Sequence, residues 1–324
     1  MRNDLGRGSV ANRPLLSIII TSYTTERLKD IFDLLKSIQS QTYENIEVVF
    51  VAERSRELME KVREYADKIG LINIRVVFND GKQGLSAARN LGIKMAMGEI
   101  IAFVDDDAVL CPRWAEEMVK TYLEDASVIG VTGSIHPLWV EGPIEWFPEE
   151  FDWILSCTRW FPYEKLTEVR NVWGGNFSFR KEAFELCGYL NTNYGFPKGT
   201  YEGSLGEDNE FSMRVRSMTK KRIVYNPNVR VHHKVHSYRL KWSFIVRRAF
   251  NMGHSRRMLK RYYGKKNSRE NILSTEFLLL RRIFSKLFTF PDFYSGVGKF
   301  LTVLLILLFV MLGYFFPLSF RSKI

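Results

Sequence analysis

Residues 98–110 read GEIIAFVDDDAVL, an apolar run that passes without a break into Asp105, Asp106 and Asp107. Three adjacent carboxylates repel one another, so their placement at the end of a buried run asks for a compensating charge. Hard oxygen ligands are what Mg2+ or Mn2+ prefer, and a phosphate-rich substrate needs its own charge offset. An Asp-x-Asp pair meets both needs, one carboxylate holding the cation and the other orienting the substrate. The competing reading is an exposed acidic turn.

The surrounding elements decide where such a cluster would lie. Leu15 to Ile20 (LLSIII), Ile46 to Val51 (IEVVFV), Ile74 to Phe78 (IRVVF) and Ile100 to Val104 (IIAFV) are apolar runs of strand length. Between them lie helical patterns: Leu28, Ile31, Leu34, Leu35 and Ile38; then Ser55 to Lys68; then Leu85 to Met97. Continuous apolar strands alternating with helices predict a parallel sheet covered on both faces. In such sheets ligands bind beyond the carboxyl ends of the strands, which is where Asp105 to Asp107 fall. From about residue 135 the alternation fades. Trp139, Trp146, Trp153 and Trp160 recur every seven residues among prolines that forbid one long helix; they either wall an acceptor cleft or pack in the core.

Charge is divided unevenly. Residues 1–238 carry 30 Lys and Arg against 33 Asp and Glu, whereas residues 239–324 carry 17 against 3. The basic excess therefore belongs to the tail, which argues against a nucleic-acid partner and for anionic lipid. Phe300 to Phe316 (FLTVLLILLFVMLGYFF) has no charged residue and sits at the short end of a membrane span; the competing reading is a buried core helix. Phe277 to Phe290 mixes Leu, Ile and Phe with Arg281, Arg282 and Lys286, as a helix lying in the membrane interface would. Cys111, Cys157 and Cys187 form no CxxC pair, which excludes a zinc or disulfide framework and suits a reducing compartment. The polar opening MRNDLGRGSVANRP has no secretory h-region.

Several motifs in order give residues 14–255 a resemblance to the inverting family 2 glycosyltransferases, whose GT-A fold has a Rossmann-like nucleotide-binding half with a mostly parallel sheet. SIIITSY (Ser17 to Tyr23) resembles that family's first strand and nucleotide loop, implicating Thr21 and Tyr23. IEVVFVAERS (Ile46 to Ser55) resembles its second strand but has Ala52 and Glu53 where the family usually has two aspartates; Glu53 can still accept from a uracil ring. GLSAARNLGIKMAMGEIIAFVDDD is the most specific stretch. By resemblance Arg89 lies near the nucleotide, Asp105 contacts its ribose, Asp107 binds the metal, and Asp106 is the spacer beside the donor.

NVWGGNFSFR (Asn171 to Arg180) resembles the Gly-rich segment near the donor sugar, where Gly174 and Gly175 permit close approach and Asn176 reaches sugar hydroxyls. LGEDNEF (Leu205 to Phe211) resembles the segment whose aspartate is the general base, here Asp208, with Glu207 and Glu210 in support. A helix start rich in acids, favourable with the macrodipole, is the plainer reading. The resemblance also implies that His232 or His233 completes the metal shell; on a strand they face opposite ways, so only one does. Arg247 or Arg248 reaches the diphosphate or meets the membrane surface.

These readings together predict an α/β GT-A enzyme followed by C-terminal amphipathic and transmembrane helices. The expected divisions are a polar extension at 1–13, the catalytic domain at 14–255, a basic interfacial segment at 256–299 and an embedded helix at 300–318. The expected reaction moves a sugar from a nucleotide-diphosphate sugar, UDP-linked by expectation, to a lipid-linked acceptor such as a polyprenyl or dolichyl phosphate or its glycan. The catalytic domain is expected on the cytoplasmic face of a cell membrane. A polysaccharide acceptor, or a catalytically silent nucleotide-sugar-binding membrane protein, are the alternatives.

Overall fold

A computed structural model of the chain describes residues 13–142, 147–193, 206–263, 274–286 and 293–316. The first four strands are β1 (Leu16–Ser22), β2 (Ile46–Glu53), β3 (Ile74–Asn79) and β4 (Ile100–Asp105), joined by α1 (Leu28–Gln39), α2 (Arg56–Ile69) and α3 (Leu85–Met95). They pair in parallel in the order β3-β2-β1-β4, as the apolar runs predict. Ser55 caps α2 by accepting from the Leu58 N–H, and Gly70, in the left-handed region, ends it.

Strand alternation sorts the core. Ile18 and Ile20 of β1 pack with Ile31, Leu34 and Leu35 of α1, whereas Ile19 faces Ala88 and Ile93 of α3. Both faces are sealed, and each fully buried Ile contributes roughly 1.5–3 kcal/mol. The register sets Thr21 opposite Asp105 and Ser22 opposite Ala52, so the carboxyl ends of β1, β2 and β4 form one edge.

Past β4 the sheet changes direction. The remaining elements are β5 (Ala108–Leu110), α4 (Trp114–Glu124), β6 (Val128–Trp139), β7 (Thr167–Val169), β8 (Asn176–Arg180), α5 (Lys181–Cys187), α6 (Glu207–Thr219) and β9 (Arg222–Val235). The sheet continues β4-β8-β6-β9-β5, with β8 antiparallel to both β4 and β6 and β7 pairing with β9. That mixed half, in which β6 and β9 pair in parallel, is what the fading alternation after residue 135 hides.

Three helices close the chain: α7 (Trp242–Tyr263), α8 (Ser274–Lys286) and α9 (Phe293–Phe315). α7 runs unbroken through the expected boundary at residue 255. α9 begins seven residues before Phe300, and Val297–Phe315 is long and apolar enough to cross a membrane. It does not project as a separate anchor but lies along α7, where a Cβ at Gly253 would strike the Val310 carbonyl oxygen and one at Gly313 that of Phe250. Trp146, Leu205 and residues 287–290, all used in the sequence reading, lie outside the described residues.

Candidate active site

The aspartates leave β4 in a turn that returns as β5, and the three carboxylates part company. Asp105 remains partly exposed at the strand end, with Oδ1 accepting from Arg89 Nη2 at 3.1 Å. Asp106 turns inward, accepting from Ser22 Oγ at 2.5 Å and from Arg27 Nη1 at 2.8 Å. Burial pushes its carboxyl up to about 6 against the pull of Arg27. The expectation of a donor contact from Asp106 therefore needs correction: its carboxylate braces the turn. Asp107 is fully buried, and its Oδ2 accepts from both Arg27 and Arg239 at 2.9 Å. Burial opposes its ionisation, but His233, Arg239 and Arg27 outweigh it and hold the carboxyl well below the usual range.

Sheet register selects between the two histidines. Ala108 of β5 pairs with His233 and Val109 with His232, and the Lys234 N–H donates to the Asp107 carbonyl at 2.9 Å. His233 is buried with Nε2 3.2 Å from Asp107 Oδ1. His232 faces the other way, its ring centroid 6.0 Å from that of His136. Of the pair, His233 alone joins the acidic cluster.

Ligand atoms of Asp105, Asp107 and His233 lie within 4.8 Å of one another. Asp107 Oδ1 and His233 Nε2 face each other at 3.2 Å without a well-aligned hydrogen bond, and among the described residues His233 Nδ1 is buried with no partner. Orphaned buried polar atoms need compensation, and a divalent cation held by two carboxylates and an imidazole supplies it. The residues fit the ion.

Arg89 connects this cluster to the second one. It is buried, and its Nη1 donates to Glu207 Oε1 at 2.8 Å. Burial raises the Glu207 carboxyl, Arg89 lowers it, and Asp208 raises it further. Asp208, in the first turn of α6, accepts from the Gly174 N–H on Oδ2 at 2.8 Å and from the Asn209 N–H on Oδ1 at 2.8 Å. Oδ2 keeps a second acceptor position. Glu210 points elsewhere, pairing with Arg214 on its own helix at 3.0 Å.

Gly175 has φ +92°, and a Cβ there would sit 2.9 Å from Asp105 Oδ2, so the backbone approaches that carboxylate as only glycine allows. Asn176 corrects the sequence reading. Its side chain is fully buried, accepting from Trp114 Nε1 at 2.8 Å and donating to the carbonyls of Val229 at 2.8 Å and Ser134 at 3.1 Å. Both ends are engaged within the core, so it is not available to sugar hydroxyls. Glu53 ends β2 buried, accepting from the Gly84 N–H at 3.2 Å. Thr21 stands beside Asp105, and Tyr23 is exposed just past β1.

A cavity of about 280 Å3 opens beside the second cluster. Arg89, Asp105, Glu207 and Asp208 line one part; Trp153, Trp160, Leu279, Ile283, Leu307 and Val310 line another. Trp153 and Trp160 line this cavity while packing against the core, so both readings of the tryptophans find support in their placement. Arg248 also lines it, donating to Ser156 Oγ at 3.1 Å, its guanidinium pushed down to about 10 by burial first and then by Arg239.

Comparison with known proteins agrees with this geometry. The sequence model for Glycosyl transferase family 2 matches residues 17–187. The chain is 32% identical over 266 residues to the glucosyl-dolichyl phosphate glucuronosyltransferase of Haloferax volcanii, covering 82% of this chain and 83% of that one. The chain belongs to glycosyl transferase family 2. It is also 23% identical to glycosyltransferase GlyG of Streptococcus pneumoniae, over 78% of this chain and 79% of that one. The mannosyltransferase PcManGT from Pyrobaculum calidifontis, solved with GDP-Man and Mn2+, shares the fold at TM-score 0.60 and 16% identity, over 95% of this chain and 88% of that one.

Some residues of this glycosyltransferase's site escape sequence reading. Arg27 and Arg239 neutralise Asp106 and Asp107 from 79 and 132 residues away, respectively. Arg170, Arg256 and Glu276 line the cavity and meet only in the folded chain. The one signal in the sequence was the surplus of arginine in the tail, which composition assigned to the membrane.

Proposed function

We propose that this enzyme transfers a sugar, with inversion, from a nucleotide-diphosphate sugar to an acceptor carried on a polyprenyl or dolichyl phosphate. The single observation that carries this reading is the cavity beside Asp208, whose lining includes apolar residues of α8 and α9. An apolar wall contributed by membrane-apt helices suits a lipid-borne acceptor better than a soluble one. The relative from Haloferax volcanii, named for a dolichyl phosphate substrate, supports the same choice.

In this reading Asp105, Asp107 and His233 hold Mn2+ or Mg2+, which when bound offsets the charge of the departing nucleoside diphosphate. Thr21, Tyr23 and Glu53 border the nucleotide at the carboxyl edge, with UDP the expected carrier. Gly174 and Gly175 form a floor that lets the donor sugar approach Asp105. Asp208 Oδ2 accepts the proton of the attacking acceptor hydroxyl. Arg89 keeps Glu207 and Asp105 in register with it. Arg248 contributes positive charge to the cavity. α9 seats the enzyme at the membrane, its catalytic domain on the cytoplasmic face.

The test is to incubate the purified full chain with a panel of nucleotide sugars and a membrane lipid extract, and to read the products by mass spectrometry. A glycosylated polyprenyl phosphate is the expected product. Transfer only to soluble or polymeric glycans would overturn the lipid assignment.

A further inference from the structure

Glu276 of α8 lies between two arginines. Arg170 grips it bidentately, Nη1 to Oε2 at 2.9 Å and Nη2 to Oε1 at 3.2 Å, while Arg256 Nε stands 2.5 Å from Oε1. All three side chains line the cavity that Asp208 lines. The arginines are nearly buried, with side-chain exposures of 7% and 16%. Burial opposes the ionised Glu276, but Arg256 and Arg170 hold its carboxyl below the usual range. The Arg170 fork and the Arg256 guanidinium beside it, both set against one carboxylate, also suit the oxygens of a phosphate, and Arg248 lines the same cavity.

Position relative to the base is the second observation. Arg256 Nη1 donates to Asn209 Oδ1 at 3.4 Å, and Asn209 Nδ2 donates to Asp208 Oδ1 at 3.0 Å. Arg256 and the base are therefore bridged by one asparagine side chain, close enough for one acceptor to reach both. Beyond the arginines the wall turns apolar, through Leu279, Leu280 and Ile283 of the same helix.

From this we infer that Arg170 and Arg256 seat the phosphate of an acceptor built as monosaccharide, phosphodiester and lipid, and that Glu276 occupies that seat until the acceptor arrives. The inference rests on the lipid-acceptor reading above and adds the recognition site. The hydroxyl to be glycosylated meets Asp208, the phosphate displaces Glu276 from the two guanidinium groups, and the hydrocarbon follows the α8 wall toward the membrane.

The test uses two synthetic acceptors, a monosaccharide joined to farnesol through a phosphodiester and the same sugar joined to farnesol directly. Transfer kinetics are measured with the full-chain enzyme and its Arg170→Gln, Arg256→Gln and Glu276→Gln variants, with thermal unfolding run in parallel. The wild type is expected to show a KM about tenfold or more lower for the phosphodiester acceptor. Each arginine variant should raise that KM about tenfold more than it raises the KM of the phosphate-free acceptor. Glu276→Gln should lower it several-fold, and it carries the test by itself should the arginine variants fail to fold. Inorganic phosphate should compete only weakly; competition as strong as that of farnesyl phosphate would make this a general anion site and overturn the lipid part. Equal KM for both acceptors, unmoved in all three variants, would overturn the inference alone. Use of a soluble sugar with neither farnesyl acceptor turned over would overturn the lipid reading and this inference with it.

Discussion

Arg89 Nη1 donates to Glu207 Oε1 at 2.8 Å across 118 residues of sequence, tying the helix that carries Asp208 to the helix that precedes the aspartate strand. The same guanidinium holds Asp105 through Nη2 at 3.1 Å. It lies near the rings of Phe103 and Phe177, with its carbon 5.7 and 5.3 Å from their centroids. One forked cation therefore fixes the separation of the two acidic clusters. A lysine, a point charge on a flexible stem, cannot hold both.

Removing that cation should cost stability and rate together. Arg89→Met leaves Glu207 and Asp105 without their counter-charge, and breaking such buried pairs costs roughly 3–5 kcal/mol. A urea titration should show the midpoint fall accordingly, with transfer at least tenfold slower in the protein that remains folded. Arg89→Lys should fall between the two. An unchanged midpoint in Arg89→Met would contradict the bridging role.

Asp208→Asn separates chemistry from binding. The amide oxygen can still accept from the Gly174 N–H, so the fold of the turn is kept. Loss of a general base typically costs about 10²- to 10⁴-fold in rate. Single-turnover transfer should fall by that amount while calorimetry finds donor affinity within about twofold of wild type, since the base acts on the acceptor. Residual transfer above a few per cent would remove Asp208 from the role of base.

The parallel half of the fold was legible because Leu16 to Ser22, Ile46 to Glu53 and Ile100 to Asp105 are buried on both faces and so read as unbroken apolar runs. The aspartate turn was legible for a related reason: a buried strand that ends in three acids must bring a counter-charge to that end. The mixed half was not, because β6, β8 and β9 meet by pairing across dozens of residues that local pattern does not encode. His233 could be narrowed to a pair by strand alternation, but only the register with Ala108 distinguishes it from His232. Asn176 was misread because an asparagine after two glycines looks like a loop ligand. Its position opposite Val104 on a central strand directs the amide to Trp114 instead.

That corrected position gives its own prediction. Asn176→Ala would strand the Trp114 Nε1 donor and two carbonyl acceptors, each orphan costing about 1–3 kcal/mol. Thermal unfolding should shift down markedly, while the donor KM of the folded fraction stays at the wild-type value. A large rise in donor KM with no change in unfolding temperature would restore the sugar-contact role.

Metal dependence should divide the two histidines. Chelation should abolish transfer, and Mn2+ or Mg2+ should restore it. His233→Ala removes a proposed ligand, and its donor affinity should fall at least tenfold in Mn2+ yet match wild type in chelator, as read by calorimetry. Because His232 faces His136 on the other side of β9, His232→Ala should keep the wild-type Mn2+ response. Equal Mn2+ response in both variants would dismiss the imidazole as a ligand.

The contact between α7 and α9 links the long apolar helix to the cavity, and it can be wedged apart. Gly253 and Gly313 each face a backbone carbonyl of the other helix, so no rotamer change relieves an added side chain. Gly313→Leu should push α9 away from α7 and carry Leu307 and Val310 out of the cavity wall. Donor binding at the carboxyl edge of β1, β2 and β4 uses no residue of this seam and should persist. Transfer to a lipid-borne acceptor in vesicles should drop about tenfold or more, because the wall that guides the hydrocarbon is lost while Asp208 stays in place. Equal loss of donor affinity and transfer would mean that α9 supports the whole domain rather than the acceptor wall, and wild-type transfer would mean that the wall is not used at all.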